Sequence, residues 1–249
     1  MIYVYAITDR PELPLPGQLG LHDEGLAKVI WRDVVAVVST VDGQRLSKTA
    51  DELWRHEAVV EALMSDRAVL PVRFGTLLPS PQRVCDMLCR TYRVLVQDIE
   101  RVRGQVEIGI RFLSAIEKGA EDDRPLTASN GCVPPGTGPG SGYLRAKLAR
   151  ERESRERQRA KLSLFREAYE RLASHANSSR LDDEADDRHG TSAAFLVPRD
   201  RILSFREIVI EVANTHPEFA LLCTGPWPAY SFVNAGRRAI SRGDECHAR

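Results

Sequence analysis

Six histidines, His22, His56, His175, His189, His216 and His247, and five cysteines, Cys85, Cys89, Cys132, Cys223 and Cys246, are the side chains with which this chain would ligate a metal or run acid–base chemistry. The histidines form no HExxH or comparable cluster. Cys85 and Cys89 share a helix face, but four-residue spacing is not CxxC, and no second ligand pair follows at a finger-like distance. They read as packing residues, since a free thiol behaves as a small hydrophobe. His56-Glu57 is the most suggestive pair, because its helix leads into a strand that carries Arg73 between Val72 and Phe74. A covered Arg73 needs a carboxylate, which Glu57 or Glu61 would supply. A structural ion pair between Glu57 and Arg73 is the expectation, and an active site built from His56, Glu57 and Arg73 is its enzymatic rival.

The remaining signals for chemistry are negative. No Gly-x-Ser-x-Gly occurs, and no nucleotide-binding glycine pattern follows a strand. The run GTGPGSG superficially resembles a phosphate loop, yet it lacks the Gly-Lys-Ser/Thr ending and reads as flexible chain. Asp182, Asp183, Glu184, Asp186 and Asp187 lack EF-hand spacing. No catalytic, cofactor-binding or metal-binding residue is therefore expected.

Lys+Arg and Asp+Glu both number 35, so net charge gives no reason to expect nucleic acid or an anionic membrane as partner. In the stretch LARERESRERQRAKL, Glu151 with Arg155, Arg152 with Glu156 and Glu153 with Arg157 pair at helical spacing, which predicts a solvated, self-paired face. The chain enters a strand-like run directly after Met1 with no basic leader, and no uncharged apolar stretch approaches the ~20 residues that span a bilayer. With its odd, scattered cysteines it reads as a soluble cytoplasmic protein.

The elements that would position these residues follow from periodicity. Ile2 to Ile7 reads as a strand. Leu26 to Trp31 and Val34 to Val41 read as a hairpin about Arg32-Asp33, and the consecutive apolar residues Val34 to Val38 predict a strand buried on both faces. Thr49 and Glu52 form a capping box for a helix whose stripe is Leu53, Val60, Leu63 and Met64. Arg67 to Leu78 reads as one strand, with Pro71 marking an edge or a strand start. Ser80-Pro81 opens a second helix with the stripe Val84, Leu88, Tyr92, Leu95 and Ile99, and Gly104 ends it. Val106, Ile108, Ile110 and Phe112 alternate on a strand. A Gly/Pro-rich insert over 117–142, a long helix from Tyr143 to His175, a strand at Ala193 to Val197, a helix at Arg201 to Asn214, a strand at Leu221 to Thr224 and a polar tail complete the chain. The helix before the last strand would pack Phe205, Ile208 and Val212.

Several of these segments, in order, resemble one family. YVYAI at the start, VLPVRFGTLL at Val69 to Leu78, VEIGIRF at Val106 to Phe112, GYLRAKLAR at Gly142 to Arg150, AAFLVPRD at Ala193 to Asp200 and CTGPWPAYSFV at Cys223 to Val233 are similar to gas vesicle proteins of the GvpL/GvpF type. The long helix and the acidic insert depart from the plainest family pattern. The resemblance implies an α+β protein of two domains, 1–103 and 104–249, the second ferredoxin-like with the long helix. It further implies a non-enzymatic minor structural or assembly component without cofactor. Its partners would be the hydrophobic main shell protein and other minor gas vesicle proteins, either as a lasting wall constituent or as an assembly factor that leaves.

The closing TGPWPAYSF poses its own question. Two prolines about a tryptophan exclude helix at Gly225, Pro226, Trp227 and Pro228. One expectation is internal: Trp227, Tyr230 and Phe232 plug the end of the C-terminal sheet while the prolines stop its last strand. The other is a preordered aromatic contact for the shell protein, since rigid segments lose little entropy on binding.

Overall fold

The computed structural model describes residues 1–42, 46–114, 139–181 and 191–234. It is a mixed α/β protein with two antiparallel sheets. In the first, β1 (Ile2–Thr8), β2 (Ala27–Trp31), β3 (Val34–Thr40) and β4 (Val69–Pro71) lie in the order β2-β3-β1-β4, and the short β5 (Leu77–Leu78) also pairs with β1. Helices α1 (Ala50–Leu63) and α2 (Pro81–Val102) cover the two faces of this sheet. That covering explains the unbroken burial of Val34 to Val38.

A register shift between Val4 and Ala6 changes which residues of β1 face each helix. Tyr3, Tyr5 and Ala6 face α1, whereas Ile2, Val4 and Ile7 join the α2 side. The single strand expected over Arg67 to Leu78 is split. β4 and β5 pair with the same edge of β1, and the backbone between them turns outward through Gly75 at φ 85°. Glycine enters that left-handed region without a Cβ penalty.

The second sheet takes β6 (Gln105–Ser114), β7 (Ser178–Leu181), β8 (Thr191–Pro198) and β9 (Phe219–Trp227) in the order β7-β8-β6-β9. Helices α3 (Pro139–Ala173) and α4 (Ile202–Thr215) pack on one face. Val106, Ile108, Ile110 and Phe112 point into this core, as their alternation requires, beside Phe195, Phe205 and Val212. The reverse face of β8 sends Leu196 into the cluster that α2 forms with the first sheet. The two sheets therefore share buried surface.

Several expectations change. Leu53 is 46% exposed, and the inner stripe of α1 is His56, Val59, Val60 and Leu63 instead. The last strand runs from Phe219 to Trp227, so Pro226 does not stop it; as an edge strand, β9 needs no ladder donor at that position. β7, too short and polar for its periodicity to register, is an addition. Helix α3 begins at Pro139, inside the Gly/Pro-rich tract. The remainder of that insert, the acidic run Asp182 to Asp187 and the tail 241–249 lie outside the described residues.

The capping box is present as expected: Thr49 Oγ1 accepts from the Glu52 N–H, and Glu52 Oε2 accepts from the Thr49 N–H at 3.2 Å. Replacing Thr49 by alanine is expected to lower unfolding stability by about 1 kcal/mol in a urea titration, and Thr49→Ser to restore most of it.

Candidate functional site

His56 is fully buried beneath β1. Tyr3, Tyr5 and Phe74 surround its ring, each with its centroid 5.7 Å from the imidazole; Tyr5 stacks and the other two meet it edge-on. Alternation along β1 brings both tyrosines to the α1 side, and the outward turn after β4 supplies Phe74. Tyr3 Oη lies 2.9 Å from His56 Nδ1, and Tyr230 Oη lies 3.3 Å from Nε2. Tyr230 Oη in turn donates to Glu57 Oε1 at 2.8 Å.

One proton arrangement gives every group in this row a partner. The Gly75 N–H donates to Tyr3 Oη at 3.1 Å, Tyr3 donates to Nδ1, Nε2–H donates to Tyr230 Oη, and Tyr230 donates to the carboxylate. The imidazole must then be neutral. Burial pushes the His56 pKa down to about 4, against a smaller upward pull from the Val72 carbonyl. Burial likewise pushes the Tyr3 and Tyr230 phenols up. It raises Glu57 too, partly offset by the Tyr230 hydrogen bond. These shifts come from desolvation among the aromatic rings packed around His56.

The expected pairing of Glu57 with Arg73 is not made. Arg73 lies exposed in the turn between β4 and β5, where water solvates the guanidinium, and Glu57 serves Tyr230. Among the described residues no group of three or more His, Cys, Asp or Glu side chains is placed to hold a metal ion, and no helix is long and apolar enough to cross a membrane.

Tyr230 opens a run of contacts made by the segment after β9. Ser231 gives its N–H and its Oγ–H to the two carboxylate oxygens of Glu107, at 2.8 and 2.7 Å. Burial raises the pKa of that carboxyl, and the two Ser231 hydrogen bonds draw it back. The Phe232 carbonyl accepts from Arg101 Nη2 at 2.6 Å, while the Asn234 N–H donates to Asp98 Oδ2 at 2.7 Å. Arg101 also pairs with Asp98, and Arg180 of β7 donates to Asn234 Oδ1 at 3.1 Å. The Phe232 ring, with Ala229 and Val233, is buried in the cluster formed by α2 and the first sheet.

TGPWPAYSF thus binds α1, α2, β6 and β7 together. Tyr230 reaches to α1, while Phe232 packs between the α2 side of the first sheet and Leu196 and Arg180 of the second. Gly225 carries φ 104°, its peptide bond to Pro226 is cis, and a Cβ there would come within 2.8 Å of the Glu107 carbonyl oxygen. Only glycine fits. Thr224, Pro226 and Trp227 remain exposed, and Pro228 is buried.

Sequence reasoning singled out His56, Glu57 and Tyr230 but not their assembly. The missed members are Tyr3, Tyr5, Phe74, Asp98 and Glu107. Two tyrosines at alternate positions of an otherwise apolar strand were one available signal, because buried phenols need partners. A lone carboxylate at Glu107, between Val106 and Ile108, was another.

Tyr230→Phe removes the phenol that partners His56 Nε2 and that donates to the half-buried Glu57 carboxylate, and is expected to lower stability by about 1–3 kcal/mol in chemical denaturation. The His56 pKa is lower in the folded chain than its ordinary 6.5. The unfolded chain therefore holds more protons between about pH 6.5 and 4, and stability falls as pH drops through that window, by about 3 kcal/mol in all. The raised carboxyls Glu57 and Glu107 act in the opposite sense. The clean readout is accordingly the difference in pH slope between the wild type and His56→Gln, which should lose this component.

Three comparisons bear on this arrangement. The family model described as "Gas vesicle synthesis protein GvpL/GvpF" matches residues 1–234. The chain is 28% identical over 267 aligned residues to gas vesicle protein L of a Streptomyces species, covering 98% of this chain and 96% of that one. It is 22% identical to gas vesicle protein F1 of Halobacterium salinarum, covering 94% and 92%. In fold it is similar to the crystal structure of gas vesicle protein GvpF from Anabaena sp. PCC7120, at a TM-score of 0.72 and 20% identity over 94% of this chain and 95% of that one. GvpF from Microcystis aeruginosa gives 0.68 at 16% identity, over 94% and 98%. The matched span runs from the first residue of the described chain to the last, through the aromatic box and the segment that closes it, and the chain belongs to the GvpL/GvpF family of gas vesicle synthesis proteins.

Proposed function

We propose that this chain is a non-enzymatic minor component of gas vesicles that binds the small, hydrophobic main shell protein during nucleation and early growth of the vesicle. A shell subunit whose apolar face ends against gas would aggregate in water unless a partner covers it first. The observation that carries this reading is an exposed apolar edge on the second sheet. Leu203 and Ile210 of α4 are 74% and 61% exposed, and Trp227 at the end of β9 is 46% exposed. Arg206, one turn from each α4 residue, donates to the Gly225 carbonyl at 2.8 Å, which sets this helix face beside the end of β9. Of the TGPWPAYSF segment, Trp227 is the contact element, while the residues from Pro228 to Phe232 are committed inward.

In this reading the two sheets are the cores of two domains, 1–103 and 104–249. The second has the ferredoxin-like order β6-α3-β7-β8-α4-β9 with strands arranged β7-β8-β6-β9. The first domain and the closing segment hold the second in a fixed attitude, so that the apolar edge meets the shell protein as a rigid surface.

The test is an Ile210→Glu, Trp227→Ala double variant supplied to a strain lacking the native gene. Expected are unchanged thermal stability, at least about tenfold less shell protein co-purified, and loss of buoyant vesicles. Normal vesicle yield with this variant would overturn the reading. Chaotrope-washed, floated vesicles from the wild type then show whether the chain stays in the wall or leaves after assembly.

A further inference from the structure

A second surface forms where the β2–β3 turn meets α2. Trp31, Arg32, Arg90, Tyr92, Arg93 and Val94 line an open cleft there. Its apolar wall is Trp31, Tyr92 and Val94, all half-buried, while the three arginines stand exposed around it. Arg32 lies over the Tyr92 ring at 5.0 Å, and the Tyr92 hydroxyl donates to Asp33 at 2.6 Å.

Among the described residues no carboxylate lies within ion-pair distance of Arg32, Arg90 or Arg93. The nearby acids are engaged elsewhere: Asp33 accepts from Tyr92, Asp86 meets Arg83 and Gln82, and Asp98 holds Arg101 and Asn234. Two features make this an arrangement that folding alone disfavours. Arg90 and Arg93 are like charges three apart on one helix, which repel rather than support it. Arg32 sits at φ 57°, a backbone region that glycine or asparagine enters at lower cost.

We propose that this cleft docks an acidic segment of a partner protein, one that alternates carboxylates with apolar side chains. Arginine forks match carboxylates two at a time, and the aromatic wall accepts the intervening apolar groups. The arginines are spread along the wall of an open cleft, with neither a glycine-rich loop nor a helix N-terminus between them. That layout suits an extended, multiply charged chain better than a single small anion.

The proposal is independent of the shell-protein reading, since the two surfaces share no residue. It is tested on the full chain by fluorescence anisotropy with a dye-labelled peptide of alternating glutamate and leucine. Binding is expected to weaken at least about tenfold when salt rises from roughly 50 to 500 mM, as exposed ion pairs are screened. The Arg90→Glu, Arg93→Glu variant, which touches no buried group, should lose binding by a similar factor or more with its thermal midpoint unchanged. Arg83→Glu, on the same helix but outside the cleft, should bind as the wild type does. An equal loss with Arg83→Glu overturns the site in favour of general charge attraction. Displacement of the peptide by millimolar inorganic phosphate as effectively as by unlabelled peptide overturns it in favour of a small-anion site. Binding that appears only after the chain's own acidic run, Asp182 to Asp187, is neutralised overturns the partner and assigns the cleft to that run. Absence of any binding overturns the proposal outright.

Discussion

A neutral imidazole, sealed on three sides by aromatic rings and hydrogen-bonded at both nitrogens, is the constraint on which the rest of this structure turns. His56 cannot be charged at that depth, since no anion sits against it to offset the desolvation. Its neutrality fixes a one-way row of donors from the Gly75 amide to the Glu57 carboxylate, and Tyr230 is the member of that row contributed from the far end of the chain. Low local dielectric makes each link strong and each missing link costly, so the network specifies one arrangement of the closing segment over α1. The Ser231–Glu107 and Asn234–Asp98 contacts then extend that specification to β6 and α2.

This geometry draws together four segments that lie far apart in the chain. YVYAI brings Tyr3 and Tyr5, VLPVRFGTLL brings Phe74 and Gly75, VEIGIRF brings Glu107, and TGPWPAYSF brings Tyr230, Ser231 and Phe232. Far apart in sequence, they meet at one place. Packing of this kind, with Tyr230 reaching from the end of the second sheet to α1 of the first, is the form expected of a joint between two sheets. The same perturbed titrations that mark catalytic groups in an open cleft arise here from structural burial, which is why perturbation alone is only a candidate signal.

Much of the fold was legible because local physics and tertiary demand agree. The β2–β3 hairpin, the capping box at Thr49, the proline at the start of α2 and the alternation in β6 are each written in adjacent residues. What the sequence concealed depends on partners far along the chain. Periodicity cannot show that Leu53 faces water while His56 faces the core, because a histidine counts as polar until its acceptor and donor are known. Nor can the run Arg67 to Leu78 reveal its split, since both pieces have strand character and only their shared pairing with β1 exposes the turn between them. The Glu57–Arg73 pairing failed for the same reason: the carboxylate had a better partner in Tyr230, 173 residues away.

The aromatic closing segment illustrates how rigidity and contact divide within one stretch. Backbone atoms of Ser231, Phe232 and Asn234 are hydrogen-bonded inward, and Tyr230 and Phe232 are spent on the joint. A segment so committed has no freedom to reorganise around a partner, and releasing it would strip the buried Glu107 carboxyl of both Ser231 donors and Asp98 of its Asn234 donors. Whatever meets the surface here must take Trp227 and its α4 neighbours as they stand. Rigid presentation of that apolar edge removes the ordering cost that a flexible contact would add on binding.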